Sequence, residues 1–293
     1  MNEPENQKIA ELSAKIKSFP SLPSVVSHVL KIKADPKSTV EDLIDAIRPD
    51  LALHTAILKI SNSAFFGQMR KISSLKQALM VIGFAEIQNI VLSKAVFNSF
   101  KKIQSNSAFR INEFWEHSFL CGLASKIISN DLSEDSNDFF VAGLIHDIGK
   151  LVLLMVMPHD FEMIVRESDP FPMNTATAEK KIIGITHDQI GMSLLMRWMF
   201  PENLIKAVGF HHQPEKADEN RLFPVIVHVA NFLSHMVQSH DYKEGNREVE
   251  FSKIIHTGKL NGLDLSKKLL NQYIEDISVK KEQEKDILEL FLS

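Results

Sequence analysis

Gly143-Leu-Ile-His-Asp-Ile-Gly-Lys150 places an imidazole beside a carboxylate, His146 and Asp147, within a strongly apolar segment. Burying these two groups without partners would cost several kcal/mol, so the segment predicts either a hydrogen-bond network or a metal ion. Successive side chains on a helix diverge by about 100°, and both can therefore reach an ion that lies between them. Gly149 would admit a closely packed helix or ligand. Lys150 would place a cation one turn beyond His146, where it could hold a phosphate.

Histidines elsewhere in the chain strengthen the metal alternative. Nine of the 12 lie between His117 and His240, so the enrichment is regional. Several recur at positions where the core face of a helix should be apolar. A buried, hydrogen-bonded pair is the ordinary explanation of the His-Asp dipeptide alone, but the surrounding histidines favour a larger polar constellation.

Composition and charge limit the class of protein. A chain of 293 residues can bury a sizeable core. Its formal net charge of −4 argues against a general nucleic-acid binder, which normally presents a basic face. The single cysteine, Cys121, excludes an intrachain disulfide and suits a reducing cytosol. The polar, acidic first residues predict no signal peptide, and the longest apolar run, 151–157, is too short to span a bilayer. A cytoplasmic protein without a membrane partner is therefore expected.

The hydrophobic pattern predicts an all-α protein. Apolar residues recur at spacings of three and four along most of the chain, and period-two alternation is scarce. The polar stretch 104–108 is the predicted boundary between an N-terminal helical bundle over residues 1–105 and a second helical domain over residues 110–293. The tail, 263–293, predicts two further helices that cover the second domain.

Local signals predict individual helices. An amphipathic helix is expected over residues 5–18, and Ser38-Thr-Val-Glu41 has the pattern of a capping box that opens another. The apolar segment around His146 and Asp147 predicts one helix that ends at Pro158. Residues 241–250 are polar and carry no predicted helix.

From His117 onward, the order of polar residues resembles the HD superfamily of metal-dependent phosphohydrolases, helical proteins named for their His-Asp pair. The matching positions are His117, His146-Asp147, His187, His211-His212 and the position three after His228. The spread of histidines after the pair is similar to that of the HD-GYP branch, which are cyclic-di-GMP phosphodiesterases.

The N-terminal half resembles the HDOD domain, a regulatory relative of these enzymes in bacterial signalling proteins. The matching segments are Leu22-Pro23-Ser24, Asp50-Leu51, Asn62-Ser63-Ala64, Ile72-Ser73-Ser74 and Ala78 to Gly83. The resemblance covers about residues 12–215, with looser similarity to about residue 240. It implies an N-terminal helical bundle followed by an HD-superfamily-like helical domain.

The resemblance also implies a set of metal ligands. A first metal would be bound by His117, His146 and Asp147. A second metal, or its surroundings, would be served by His187, His211 and His212. The family's last ligand is the aspartate of a His-x-Ala-Asp pattern, whereas this chain has His228-Val-Ala-Asn231, so an amide takes the place of a carboxylate. The Gly-Tyr-Pro element that names the HD-GYP branch is absent from the sequence.

The remaining histidines have no motif context. His235 shares a helix face with Asn231 at a spacing of four, and it is expected to be structural. The others are expected to be ordinary surface or core residues: His28, His54, His159, His240 and His256.

The ligand types limit the metal and its chemistry. Imidazole and carboxylate suit one divalent transition metal, with iron, manganese, zinc and nickel all compatible. Two adjacent divalent ions would repel strongly, and Asp147 is the motif's one carboxylate unless another joins it, such as Glu113 one turn before His117. Three outcomes stay open: one metal or anion without efficient turnover, no metal with hydrogen-bonded histidines, and a phosphohydrolase in which Asp147 and Lys150 are catalytic.

Two functions from different classes follow. The first is a regulatory protein of bacterial signal transduction whose degenerate HD site binds a metal or ligand, and which acts by binding a signalling protein or a nucleotide rather than by turnover. The alternative is a metal-dependent phosphohydrolase acting on a nucleotide or cyclic dinucleotide. The N-terminal half has no histidine cluster and no paired carboxylates, which favours the first. The oligomeric state stays open.

Overall fold

The computed structural model of the chain describes residues 22, 24–63, 71–105, 109–134, 137–168, 175–217, 221–238 and 244–292. Within these ranges the regular structure is helical and contains no β-strand, so the prediction of an all-α protein is confirmed. Several predictions fall outside the described residues: the helix over 5–18, the part of the predicted boundary over 106–108, the role of His240, and Pro23 and Ala64 of the segments that resemble the HDOD domain.

The N-terminal half is a bundle of helices α1 to α5. They span Ser24–Ala34, Val40–Ile47, Leu51–Ser61, Leu75–Ile82 and Phe84–Ser99. The predicted capping box lies one residue further along the chain. The hydroxyl of Thr39 accepts from the backbone N–H of Asp42, and the Asp42 carboxylate accepts from the backbone N–H of Thr39. Thr39 and Asp42, rather than Ser38 and Glu41, therefore open α2.

Two N-terminal segments of the HDOD resemblance have structural roles. The Asn62 side chain closes the connection after α3, because its Nδ2 donates to the carbonyl of Ile72 and its Oδ1 accepts from the N–H of Ile72, both at 2.8 Å. Gly83 separates α4 from α5 with a φ of 101°, which side-chain-bearing residues rarely adopt. The two helices meet there at a bend of 115°.

The C-terminal part contains helices α6 to α16 and one 3-10 turn. Helices α6 to α11 span Ile111–Asp131, Asn137–Ile145, Ile148–Val156, Pro158–Ser168, Thr175–Ile183 and His187–Arg197. After α12 (Glu202–Phe210) and the 3-10 turn (Pro214–Lys216) come α13 (Leu222–Gln238), α14 (Glu244–Leu260), α15 (Lys267–Gln283) and α16 (Lys285–Leu292). Helix α6 packs against α7, α13 and α15, and its inner face is therefore central to this part of the fold.

The His146–Asp147 segment is not the continuous helix that the sequence predicts. Helix α7 ends at Ile145, α8 begins at Ile148, and the two residues form the turn between them. Helix α8 ends before Pro158, which begins α9 instead of terminating its predecessor. The apolar periodicity continues through the break because both helices are buried, so periodicity alone conceals the turn.

Gly149 sets the close approach of α8 to α11. A Cβ at this position would lie 1.9 Å from the carbonyl oxygen of His187, and a Cβ at Gly191 would lie 2.7 Å from a methyl carbon of Val208. The predicted close packing at Gly149 is thus confirmed. It places the start of α11, and with it His187, beside the turn that carries Asp147.

One segment, Asp138–Val156, passes the length and composition test for a membrane-spanning helix, and 72% of its apolar window is buried inside the protein. It corresponds to α7 and α8. The bent pair α4 and α5 passes the same test only if its two helices are counted together. Burial of Asp138–Val156 among the other helices accounts for its hydropathy, which is that of a core element.

The C-terminal helices reach back to the start of the fold. The two predicted tail helices are present as α15 and α16, and α14 begins inside the polar stretch 241–250, where the sequence predicts no helix. Helix α16 contacts α3, α5 and α6. One continuous set of buried apolar side chains extends through both halves. The division at 104–108 stays a prediction.

Candidate metal centre

The predicted ligands meet in one buried pocket although they come from distant parts of the sequence. His117 lies on α6, His146 and Asp147 form the turn before α8, His187 begins α11, and His211 follows α12. His146, His187 and His211 have no exposed surface, and Asp147 and His117 are only 2% and 6% exposed. The fold therefore brings together the side chains that the sequence singled out, and their role as metal ligands stays a prediction.

The outer ring nitrogens of two histidines are fixed by backbone carbonyls. Nδ1 of His146 lies 2.7 Å from the carbonyl oxygen of Gly143, and Nδ1 of His211 lies 2.8 Å from that of Val208. A carbonyl only accepts, so Nδ1 carries the hydrogen in both rings. When these imidazoles are neutral, Nε2 holds the lone pair and points into the pocket, which is the arrangement that metal-binding histidines adopt.

Three atoms inside the pocket indicate whether a metal would fit there. Nε2 of His146, Oδ1 of Asp147 and Nε2 of His211 are buried and make no hydrogen bond to the described residues. Oδ1 of Asp147 lies 3.0 Å from Nε2 of His187 and 3.7 Å from Nε2 of His211. Buried polar atoms are rarely left unsatisfied. A cation beside Oδ1 of Asp147 would satisfy that atom together with Nε2 of His146 on one side or Nε2 of His211 on the other, so the residues present fit a divalent metal.

The potential ligands form two overlapping groups that share Asp147. One contains His117, His146 and Asp147, and the other contains Asp147, His187, His211 and His212; within each group the ligand atoms lie within 4.8 Å of one another. The first is the group that the resemblance implied, and the second adds Asp147 to the implied His187, His211 and His212. Among the residues that the structure describes, Asp147 is thus the one side chain placed to serve either or both positions.

Glu179 is the buried carboxylate that the sequence interpretation missed. It is fully buried on α10, and its Oε2 lies 2.7 Å from Nδ1 of His187 and accepts from the backbone N–H of His187 at 2.7 Å. Glu113, the carboxylate suggested from the sequence, is wrong for this role because it is exposed and pairs with Arg110 at 2.8 Å. The sequence feature that could have indicated this contact is a glutamate on the apolar face of the predicted helix, eight residues before His187.

Charges in the pocket shift the histidine pKa values in opposite directions. Burial opposes protonation of His146, but the Asp147 carboxylate outweighs burial and raises the pKa of His146 to about 10. Burial is likewise outweighed at His187, mainly by Glu179, and its pKa rises to about 9. At His117 and His211 burial dominates and holds the pKa well below the ordinary value. A metal would compete with protons at His146 and His187, so binding would release protons.

The ammonium group of Lys150 forms an ion pair with the carboxylate of Asp147. Its Nζ lies 2.5 Å from Oδ2 of Asp147, and its side chain is 15% exposed, against 2% for Asp147. Burial opposes ionisation of Asp147, but His146 and Lys150 outweigh it and hold the Asp147 pKa well below its usual range. Asp147 is therefore an anion, and Lys150 is the partly accessible cation next to it.

Asn231 stands beside His117 on the far side of the pocket. Its Oδ1 lies 3.0 Å from Nε2 of His117, and Oε1 of Gln238 lies 3.1 Å from Nδ1 of the same ring. His235 stacks on that ring with centroids 4.2 Å apart, which agrees with its expected structural role. A neutral imidazole has one N–H, so one of these two amides turns its NH2 group toward the ring instead. Gln238 is a second contact that the sequence interpretation missed.

The other histidines either contact a histidine of the pocket or lie outside it. Nε2 of His212 lies 3.0 Å from Nε2 of His187, and Nδ1 of His228 donates to the carbonyl of His211 at 2.7 Å. His28, His159 and His256 are exposed and His54 is partly exposed. None of these four belongs to either ligand group among the described residues.

The helical fold and its buried His–Asp pocket define an HD-type helical protein. The model of the HDOD domain family matches residues 19–214. The chain therefore belongs to the HDOD domain family, and the family resemblance of the sequence is confirmed.

Solved structures share this fold at low identity. An HDOD domain protein of unknown function from Geobacter sulfurreducens has a TM-score of 0.79 and 20% identity, covering 98% of this chain and 99% of that one. A Shewanella amazonensis SB2B protein, provisionally described as a phosphohydrolase, has a TM-score of 0.77 and 20% identity over 96% and 98% of the chains. A Marinobacter aquaeolei VT8 protein, provisionally described as a signal transduction protein, has a TM-score of 0.77 and 17% identity over 99% and 67%.

A curated relative is an uncharacterized protein of Treponema pallidum (strain Nichols). It is 27% identical over 223 residues, which cover 72% of this chain. The chain spans 40% of the length of that relative.

Proposed function

We propose that this HDOD protein is a regulatory component of bacterial signal transduction that binds one divalent transition metal in its His–Asp pocket. It acts by binding a signalling protein or a nucleotide rather than by turnover. The observation that carries the proposal is a set of buried inner atoms without a hydrogen bond to the described residues: Oδ1 of Asp147, which both ligand groups share, and Nε2 of His146 and of His211, one in each group. Iron, manganese, zinc and nickel all suit these ligands.

The charge of the pocket supports one metal rather than two. Two divalent ions about 4 Å apart repel by about 17 kcal/mol at an effective dielectric of about 20. Asp147 is the one carboxylate that faces both ligand groups, because Glu179 is occupied by His187 on its outer side. Asn231 contributes no charge, and Lys150 adds a positive one at 2.5 Å from Asp147. This balance leaves no negative charge that could offset the repulsion of a second divalent ion.

Burial of the pocket supports binding without turnover. A catalytic metal keeps a coordination position open to substrate, whereas a structural metal is enclosed by protein ligands. His146, His187 and His211 have no exposed surface, as in an enclosed site. A metal in one ligand group would hold the turn before α8 to α6, and a metal in the other group would hold it to α11 and the end of α12. A partner could exploit such a metal only through a different affinity for two arrangements of these helices. We place the protein in the cytoplasm, where its one cysteine, Cys121, would stay reduced.

Metal analysis of the purified full chain tests this proposal. We expect about one transition metal per chain in the wild type, and loss of most of it in His211→Ala and Asp147→Ala. His159→Ala removes an exposed histidine outside the pocket and should retain the metal. A wild-type protein that stays without metal after incubation with each of the four ions would contradict the proposal.

A metal-dependent phosphohydrolase acting on a nucleotide or cyclic dinucleotide is the second candidate. It is favoured by the shared position of Asp147 between the two ligand groups and by the partly exposed Lys150 beside it. A bound metal would supply a more acidic water and a polarised phosphoryl oxygen. Lys150 would orient the phosphate, and Asp147 would hold the metal.

Hydrolysis assays separate the two candidates. We expect no metal-dependent cleavage of bis(p-nitrophenyl) phosphate or of cyclic dinucleotides by the metal-loaded wild type. Turnover that disappears in Asp147→Ala but persists in His159→Ala would replace the regulatory proposal with the enzymatic one.

A further inference from the structure

A cleft with a volume of about 410 Å³ lies between the two halves of the chain, away from the His–Asp pocket. One side is formed by α1 and α5, and the other by α7 and the start of α13. Its lining residues are Lys33, Ala85, Gln88, Glu134, Asp138, Phe139, Leu222 and Phe223. This volume is within the range of about 300–1,000 Å³ that small-molecule sites occupy.

Two stacked aromatic rings form one wall of the cleft. Phe139 and Phe223 lie nearly parallel, at 10°, with centroids 3.9 Å apart. Phe139 is 2% exposed, whereas Phe223 is half-buried and lines the cleft. A further flat ring placed on Phe223 would extend the stack, an arrangement worth roughly 0.5–1.5 kcal/mol beyond area burial.

Gln88, one of the lining residues, carries a buried hydrogen-bond donor. Gln88 on α5 is 3% exposed, and its Nε2 makes no hydrogen bond to the described part of the chain. Leaving such a donor unsatisfied costs about 1–3 kcal/mol. Because Nε2 is enclosed, the Gln88 side chain would have to turn toward the cleft to reach a ligand. A ring nitrogen or carbonyl oxygen of a nucleobase would then accept from it and remove that cost.

The charged residues of the cleft argue against a phosphorylated ligand. Lys33 forms an ion pair with Asp138, and Asp138 also accepts from Nδ2 of Asn203 at 3.1 Å. With the exposed Glu134 at the rim, the lining has two acids and one base. A phosphate would therefore meet net negative charge and a lysine that is already paired, whereas an uncharged ring would meet no such penalty.

We propose that this cleft binds an uncharged planar heteroaromatic molecule of the nucleobase or nucleoside class, stacked on Phe223 and hydrogen-bonded to Gln88. Such a ligand would touch both halves of the chain. The two C-terminal helices that it contacts also carry residues of the His–Asp pocket: α7 leads directly to His146, and α13 contains Asn231. Binding in the cleft would thus favour one arrangement of these helices over another.

Titration of the full chain with adenosine, guanosine and ribose 5-phosphate, by calorimetry and ligand-observed NMR, tests the assignment. We expect saturable binding of a nucleoside and none of ribose 5-phosphate. Gln88→Leu and Phe223→Leu should each weaken nucleoside binding about tenfold, equivalent to about 1.4 kcal/mol. Phe109 is a half-buried aromatic outside the cleft that contacts Phe114 in a tilted and Phe161 in an edge-to-face arrangement, so Phe109→Leu should leave binding unchanged.

Urea unfolding of each variant shows whether a loss of nucleoside binding is caused by a loss of folding. Gln88→Leu removes an unsatisfied donor, so its resistance to urea should equal or exceed that of the wild type. The assignment is overturned if neither nucleoside binds, if both cleft variants bind like the wild type, or if ribose 5-phosphate binds as well as the nucleosides.

Discussion

The carboxylate of Glu179 orients His187 through two contacts, with Oε2 2.7 Å from its ring Nδ1 and 2.7 Å from its backbone nitrogen. The other ring nitrogen, Nε2, lies 3.0 Å from Oδ1 of Asp147. Glu179 therefore fixes the ring so that its inner nitrogen faces the pocket. Partners of this kind raise the basicity of a metal-binding imidazole.

Glu179→Gln should weaken metal binding without unfolding the protein. An amide cannot supply the negative charge that favours the Nδ1–H form of His187, so we expect metal affinity to fall about 10- to 100-fold. Competition with a chromophoric chelator measures this affinity. Glu167→Gln is the matched control, because Glu167 is an exposed glutamate outside the pocket that forms an ion pair with Lys181. Equal affinities in the two variants would refute a positioning role for Glu179.

Gly149→Ala should destabilise the fold strongly. Its Cβ would lie 1.9 Å from the carbonyl oxygen of His187, and because both elements are helical backbone, neither can move aside easily. We expect a loss of at least about 3 kcal/mol of unfolding free energy in urea. Gly209→Ala is the control, since its Cβ would meet the flexible side chain of Met192 and should cost much less. Similar losses in both variants would count against backbone contact as the cause.

Asn231→Asp should increase the metal capacity of the pocket. The amide oxygen lies 3.0 Å from Nε2 of His117, and a carboxylate there would add the negative charge that a second divalent ion requires. We expect metal content to rise above that of the wild type, and any phosphodiesterase activity to rise with it. Asn130→Asp adds the same charge at an exposed position. An unchanged metal content in Asn231→Asp would show that the missing carboxylate is not what limits the site.

The free energy of unfolding should depend on pH through the buried carboxyl group of Glu284. It is 1% exposed at the junction of α15 and α16, and its carboxylate oxygens make no hydrogen bond within the described residues. Burial raises the pKa of Glu284 from 4.5 to about 7, against the opposing effect of Lys280. The folded state therefore binds this proton more tightly than the unfolded state. Its contribution to stability falls as pH rises from 4.5 to about 7.

Glu284→Gln should remove this pH dependence. At pH 8 we expect the variant to be more stable than the wild type by about 1–3 kcal/mol, since one pKa unit corresponds to about 1.4 kcal/mol. The difference should vanish near pH 4. Urea unfolding across this range measures it, with Glu282→Gln as the exposed neighbour. A variant with the same pH profile as the wild type would show that Glu284 is solvated in solution.

Much of the fold and of the pocket could be predicted from local pattern. Apolar spacing of three and four predicted an all-α protein, and the resemblance to the HD superfamily identified most of the groups that the pocket brings together. Glu179 was missed because its partner, His187, is eight residues away on the next helix. Spacing within a single helix cannot reveal such a contact. Glu113 was chosen for its nearness to His117 in sequence, but it lies on the solvent face of α6.

The turn at His146 and Asp147 was hidden for a different reason. Hydrophobic periodicity reports which side chains are buried, and α7 and α8 are both buried on most of their faces. A break between two such helices leaves the apolar pattern intact. The first residue of α2 was displaced by one position because Ser38 and Thr39 have equivalent capping chemistry, so only the backbone geometry distinguishes them.

The recognisable family segment ends at residue 214, but the amides that face both nitrogens of His117 belong to Asn231 and Gln238. A protein truncated at residue 214 would keep His146, Asp147 and His187 but would lose the two amide side chains that contact His117. The segment that matches the family is thus shorter than the segment that builds the pocket. Modular reuse of this domain would have to carry α13 with it.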